Sequence, residues 1–94
     1  MEVYQKNEIL EKLNSLEGWN YSGETITKTY EAASFHRGIG FVAQIGILAD
    51  KADHHPDLTI QYNKITVSLA THSANGITEK DFSLAEQIEK AFAQ

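Results

Sequence analysis

Asp50–Asp81, DKADHHPDLTIQYNKITVSLATHSANGITEKD, is the stretch on which the fold of this chain turns. It holds three of the four histidines, the single proline and the clearest β-hairpin signal. Leu58, Ile60 and Tyr62 alternate with Asp57, Thr59 and Gln61; Ile65, Val67 and Leu69 alternate with Thr66, Ser68 and Ala70. A period of two in β-branched and aromatic residues predicts two half-buried strands. Asn63-Lys64 between them reads as a tight turn, since asparagine tolerates positive φ. Centring the turn there pairs Tyr62 with Ile65, Ile60 with Val67 and Leu58 with Leu69. The apolar set then falls on one face. Extended outward, the same register sets His55 opposite His72, with His54 beside them.

On the C-terminal side, Asn75-Gly76 reads as a turn. Thr78-x-x-Asp81 has the form of a capping box opening a last helix, with Phe82, Ala85, Ile88 and Phe92 as its stripe. On the N-terminal side, Ser34 is an N-cap for a long helix reaching Ala52, which must end before Pro56. Its expected core stripe is Phe35, Ile39, Val42, Ile45 (or Gly46) and Ala49. Phe41, Ile47 and Leu48 lie off that stripe, so a second apolar face is expected to meet another subunit. Gly38, Gly40 and Gly46 each cost about 1 kcal/mol in a helix interior, which close backbone approach would explain. Earlier still, Trp19-Asn20-Tyr21 and Glu24–Glu31 form a first hairpin about Ser22-Gly23, with Ile26 and Tyr30 inward and threonines outward. A first helix over Glu8–Glu17 is expected, capped by Asn7, with Ile9, Leu10, Leu13 and Leu16 apolar and Gly18 past its end. The order αββαββα predicts an α+β fold: one four-stranded antiparallel sheet with helices on one face.

Ninety-four residues predict a single domain over 1–94. The chain has no cysteine, which excludes disulfides and thiolate chemistry. A net charge of −5 argues against binding nucleic acid or an anionic membrane. No apolar run is long enough to span a bilayer, and MEVYQKNEIL lacks the pattern of a signal peptide. A cytoplasmic location is the default expectation.

His54, His55 and His72 are the candidate catalytic residues, because imidazole suits proton transfer near neutral pH. One isolated histidine reads best as surface; three brought together by register read better as a site. His36 has no partner in view and reads as solvated. Asp81 has a capping role that is compatible with orienting a histidine. Asp50, one helical turn before His54, can fix an imidazole tautomer or be solvated. Pro56 rigidifies the approach to the strand. Trp19, Tyr21 and Tyr62 read as core, although an aromatic beside the histidines could stack on a flat heterocycle. No nucleophile and no phosphate loop accompany them, so dehydration or tautomerisation is the natural reaction class.

Asp50-x3-His54-His55-Pro56-x5-Tyr62-x9-His72-x8-Asp81 resembles the signature of the pterin-4a-carbinolamine dehydratases. THSANGITEKDFSLAEQIE, the Gly18-Trp19 pair and the order of elements are similar to that family too, over essentially the whole chain. One departure is Leu58, where animal members commonly carry tryptophan. The resemblance implies a 4a-hydroxytetrahydropterin substrate, released by an aromatic amino acid hydroxylase and dehydrated to a quinonoid dihydropterin. It implies acid and base roles for His54 and His72, and substrate contact through His55, Pro56, Tyr62, Thr71 and Ser73. Asp81 and Asp50 would orient them. No redox cofactor and no metal are expected: adjacent His54 and His55 project apart on an extended chain, which disfavours zinc. A homodimer or homotetramer is expected. Two alternatives are a non-catalytic dimerisation module of a transcription factor, as animal members resemble, and a dehydratase-like protein acting on another pterin.

Overall fold

Ile26, Tyr30, Ile65, Val67 and Leu69 are all buried, and they form one face of a four-stranded antiparallel sheet. The computed structural model describes residues 1–93. Its elements are α1 (Lys6–Lys12), β1 (Asn20–Tyr21), β2 (Ile26–Glu31), α2 (Phe35–Ala52), β3 (Asp57–Gln61), β4 (Lys64–Leu69) and α3 (Glu79–Ala93). The strand order is β1-β2-β4-β3, so β3 is an edge. This is the expected α+β fold with the order αββαββα. The helices supply Ile9, Phe41, Ile45, Ala49, Leu84, Ala85 and Ile88 to the core against the apolar sheet face. The opposite face carries hydroxyls that pair across strands: Thr27 with Ser68 at 3.1 Å and Thr29 with Thr66 at 2.9 Å. None of the described helices is long and apolar enough to cross a membrane.

The β3–β4 register differs from the expected one by two residues. Ile60 pairs with Ile65 and Leu58 with Val67, and the turn is Tyr62-Asn63, with Tyr62 at φ 55°. The cause is tertiary. Asn63 continues the pairing of β4 with β2: its carbonyl accepts from the Ala32 N–H at 2.8 Å, and its side-chain amide donates to the Ala32 carbonyl at 2.7 Å. A shift of two preserves the faces, so the apolar set stays together. It does move His55 out of line with His72.

Two helices also differ from expectation. α1 starts at Lys6 because the Gln5 N–H donates to Glu8 Oε1 at 2.8 Å, and its end tightens to a 3-10 turn at Leu13–Ser15. Leu10 is exposed. In α2, capped by Ser34, the core stripe is Gly38, Phe41, Ile45 and Ala49, while Phe35 and Ile39 are exposed. Close approach explains Gly38, where a Cβ would sit 3.4 Å from the Ile65 side chain. At Gly40 and Gly46 a Cβ would meet nothing within 4 Å.

Candidate functional site

The end of α2 aims His54. Asp53 adopts a left-handed conformation at φ 50°. Its N–H donates to the Asp50 carbonyl, and that of His54 to the Ala49 carbonyl at 3.1 Å. This pair of bonds is a Schellman stop, here with aspartate where glycine is usual. The chain leaves it turned into the protein, and the His54 ring is almost fully buried. His55, its neighbour, projects outward and is exposed, as adjacent residues of extended chain must. Asp50 reaches His55, at 2.9 Å from Nε2, rather than His54.

His54 meets the start of α3. Its Nε2 lies 2.6 Å from Oδ1 of Asp81, whose side chain is 0% exposed. The other carboxylate oxygen, Oδ2, accepts from the Thr78 N–H at 2.9 Å and from the Thr71 hydroxyl at 2.8 Å. Thr78 in turn accepts from the Lys80 N–H, so Thr78 and Asp81 cap α3 as the spacing predicts. A carboxylate has no proton to give, so the short contact at Oδ1 is a bond donated by His54 Nε2–H. Nδ1 is then the ring nitrogen left free to accept a proton.

His72 stands on the next turn. Thr71 is tied to Gly76 through both its N–H and its carbonyl, and His72–Ala74 forms a single 3-10 turn closed by Asn75 at φ 56°. His72 and Ser73 are exposed on that turn. His72 lines a cavity of about 540 Å³ with Tyr21, Glu24, Thr71 and Asn75. His54 opens onto a depression of about 340 Å³ beside Glu79, Ser83 and Met1. The N-terminal segment contributes to both walls, through Val3 and Tyr4 in the first and Met1 in the second. The Tyr4 hydroxyl donates to Glu79 at 2.8 Å, and that bond, together with desolvation, pushes its pKa up to about 12.

Other motif residues lie elsewhere. Tyr62 sits at the hairpin turn, at the far end of β3 from Pro56, and stacks on Phe35 with ring centroids 6.5 Å apart. His36 lies on the first turn of α2, in the wall of a cavity of about 610 Å³ that contains none of the motif residues. Two features escaped the sequence reading. The first is the buried direction of Thr71, although its signal was present: residues 65, 67, 69 and 71 share the inward parity of β4. The second is Glu89: one of its oxygens accepts from Trp19 Nε1 at 3.0 Å, Lys28 Nζ at 2.6 Å and the Tyr30 hydroxyl at 2.5 Å. No local spacing connects those residues.

The family model for pterin 4 alpha carbinolamine dehydratase matches residues 2–91. A Sulfolobus acidocaldarius protein, provisionally named a pterin-4-alpha-carbinolamine dehydratase, is 45% identical over 85 residues, covering 90% of this chain and 93% of its own. A similarly named Roseiflexus protein is 48% identical over 83 residues, 88% of this chain and 89% of its own. Among solved structures, the transcriptional coactivator/pterin dehydratase from Brucella melitensis superposes with a TM-score of 0.91 at 38% identity, over 97% of this chain and 99% of that one. With the motif, the fold and these relatives in agreement, the chain belongs to the pterin 4 alpha carbinolamine dehydratase family.

Proposed function

We propose that the protein dehydrates a 4a-hydroxytetrahydropterin, of the kind an aromatic amino acid hydroxylase releases, to the quinonoid dihydropterin and water. The observation that carries this is the buried His54–Asp81 pair, in a chain of this family. The reaction balances without a redox partner. The N5 lone pair forms the new C4a–N5 double bond and expels the 4a hydroxyl. An acid protonates that oxygen, and a base takes the N5 proton. His54, with Nε2–H committed to Asp81, is the base through Nδ1; protonated His72 is the acid. Proton transfer by a positioned group is typically worth about 10²–10⁴-fold. His55, paired with exposed Asp50, serves substrate binding with Pro56. Capping α3 requires only Oδ2 of Asp81; the commitment of Oδ1 to an imidazole favours the catalytic reading over a bare interaction module.

The protein is proposed to work in the cytoplasm as a homo-oligomer of single-domain chains. It is also proposed to need no metal, because both oxygens of Asp81 are engaged in hydrogen bonds and a protonated hydroxyl on an amine-bearing carbon leaves without a Lewis acid. The test generates the carbinolamine with a hydroxylase and follows quinonoid product, with and without chelator. Acceleration over the spontaneous rate, undiminished by chelation, is expected. No acceleration at micromolar protein overturns the dehydratase reading; loss with chelator and return with zinc overturns the metal-free one.

A further inference from the structure

Thr71 has two candidate employments. As a substrate contact, its hydroxyl would need to face the cavity beside His72. The hydroxyl instead faces inward, and the residue is 3% exposed. Its one proton goes to Asp81 Oδ2 at 2.8 Å. Its oxygen lies 2.8 Å from the Thr78 hydroxyl. Thr78 already accepts the Lys80 N–H, so the Thr78 proton points to Thr71. Each hydroxyl has a single proton, and this assignment uses both. The direction of the chain is therefore fixed: Lys80 N–H to Thr78, Thr78 to Thr71, Thr71 to Asp81, with Asp81 accepting from His54.

The backbone holds the start of that chain rigid. Thr71 donates its N–H to the Gly76 carbonyl at 2.8 Å and accepts from Gly76 and Ala74 at 3.3 and 3.1 Å. One residue thus anchors both the turn that carries His72 and the carboxylate that meets His54.

We infer that Thr71 is a positioning residue, whose buried hydroxyl holds Asp81 in the rotamer that fixes His54 as its Nε2–H tautomer and leaves Nδ1 free. The role deepens the dehydratase reading, and its kinetic part rests on that reading. Carboxylates that orient a working imidazole act through its tautomer, and removal of such support slows the chemical step.

The experiment has a spectroscopic and a kinetic arm. Imidazole nitrogen–proton correlation spectra of labelled protein read the tautomer directly, with no substrate present. His54 is expected as Nε2–H in the unsubstituted protein and in Thr71→Ser. Thr71→Val is expected to lose the single tautomer. In the assay, Thr71→Val lowers kcat about 10- to 100-fold with KM within about twofold, and Thr71→Ser restores most of it. Thr71→Ala, which leaves space in place of a methyl against two polar groups, takes the place of Thr71→Val if the latter does not fold. An Nδ1–H tautomer in the unsubstituted protein overturns the inference whatever the variants do. So does a rise in KM at constant kcat, the mark of substrate contact, or a variant without the hydroxyl that keeps both tautomer and rate. If the unsubstituted protein shows no dehydratase activity, the proposed function fails while the tautomer arm still decides this one.

Discussion

His54 and His55 share a sequence neighbourhood and nothing else. The Schellman stop after α2 turns the first inward, onto Asp81, and the extended step before Pro56 turns the second out to water. That divergence was readable from adjacency alone. The partner of each was not, because Asp50 and Asp81 compete for two imidazoles and only the path of the chain decides. The expected pairing of His55 with His72 failed for a related reason. It depended on the turn at residues 62–64, and Asn63 is claimed by Ala32 across the sheet. The different surroundings predict different kinetic signatures. His54→Ala and His72→Ala are each expected to lower kcat by about 10²–10⁴-fold. His55→Ala is expected to act mainly on KM. Steady-state rates corrected for the spontaneous reaction separate the two patterns, and a His54→Ala variant with unchanged kcat removes His54 from the chemistry.

Besides the apolar core, one carboxylate joins several elements. Glu89 on α3 gathers Trp19, Lys28 and Tyr30, and so ties β2 and the residue just before β1 to the last helix. Lys28 occupies an inward position of β2, between Ile26 and Tyr30, and its amine reaches the half-buried carboxylate. The alternation of β2 placed Ile26 and Tyr30 correctly but did not show that Lys28 between them has a partner 61 residues away. Burial alone would raise the pKa of Glu89; the bonds from Lys28, Tyr30 and Trp19 outweigh it and hold the carboxyl below its ordinary value. A depressed carboxylate contributes stability that is present above the unfolded value, 4.5, and is lost as pH falls through the folded one. Glu89→Gln is therefore expected to cost about 1–2 kcal/mol near neutrality, a modest figure because the side chain is partly wet. The difference from the unsubstituted protein should shrink as pH falls below 4.5. Urea denaturation at a series of pH values measures it, and a difference that grows toward acid contradicts the role.

At the scale of the whole molecule, the apolar surface does not close on itself. Phe35, Ile39 and Ile47 on α2 are 49, 41 and 58% exposed, and Ile60 on the edge strand β3 is 42% exposed. Two apolar faces on α2 were legible in its sequence, but which residues lie on which face was not. The helix sits on the sheet through Gly38, where closeness to Ile65 matters more than side-chain size, and this rotates Phe41 into the core and Ile39 out of it. Phe41→Asp is thus a core substitution and is expected to unfold the chain rather than report on an interface. Residues 39, 43 and 47 follow i, i+4, i+8 and share one broad outer stripe of the helix. A small domain that leaves such a stripe wet, and that also has a strand with unpaired edge groups, gains most by meeting a second copy. Sedimentation equilibrium at micromolar concentration is expected to show a closed dimer or tetramer. The double variant Ile39→Asp, Ile47→Asp should reduce its size while the circular dichroism stays native, since both side chains are already exposed. An unsubstituted protein that sediments only as monomer refutes the assembly. A double variant that keeps its full size moves the contact away from α2, to the open edge of β3.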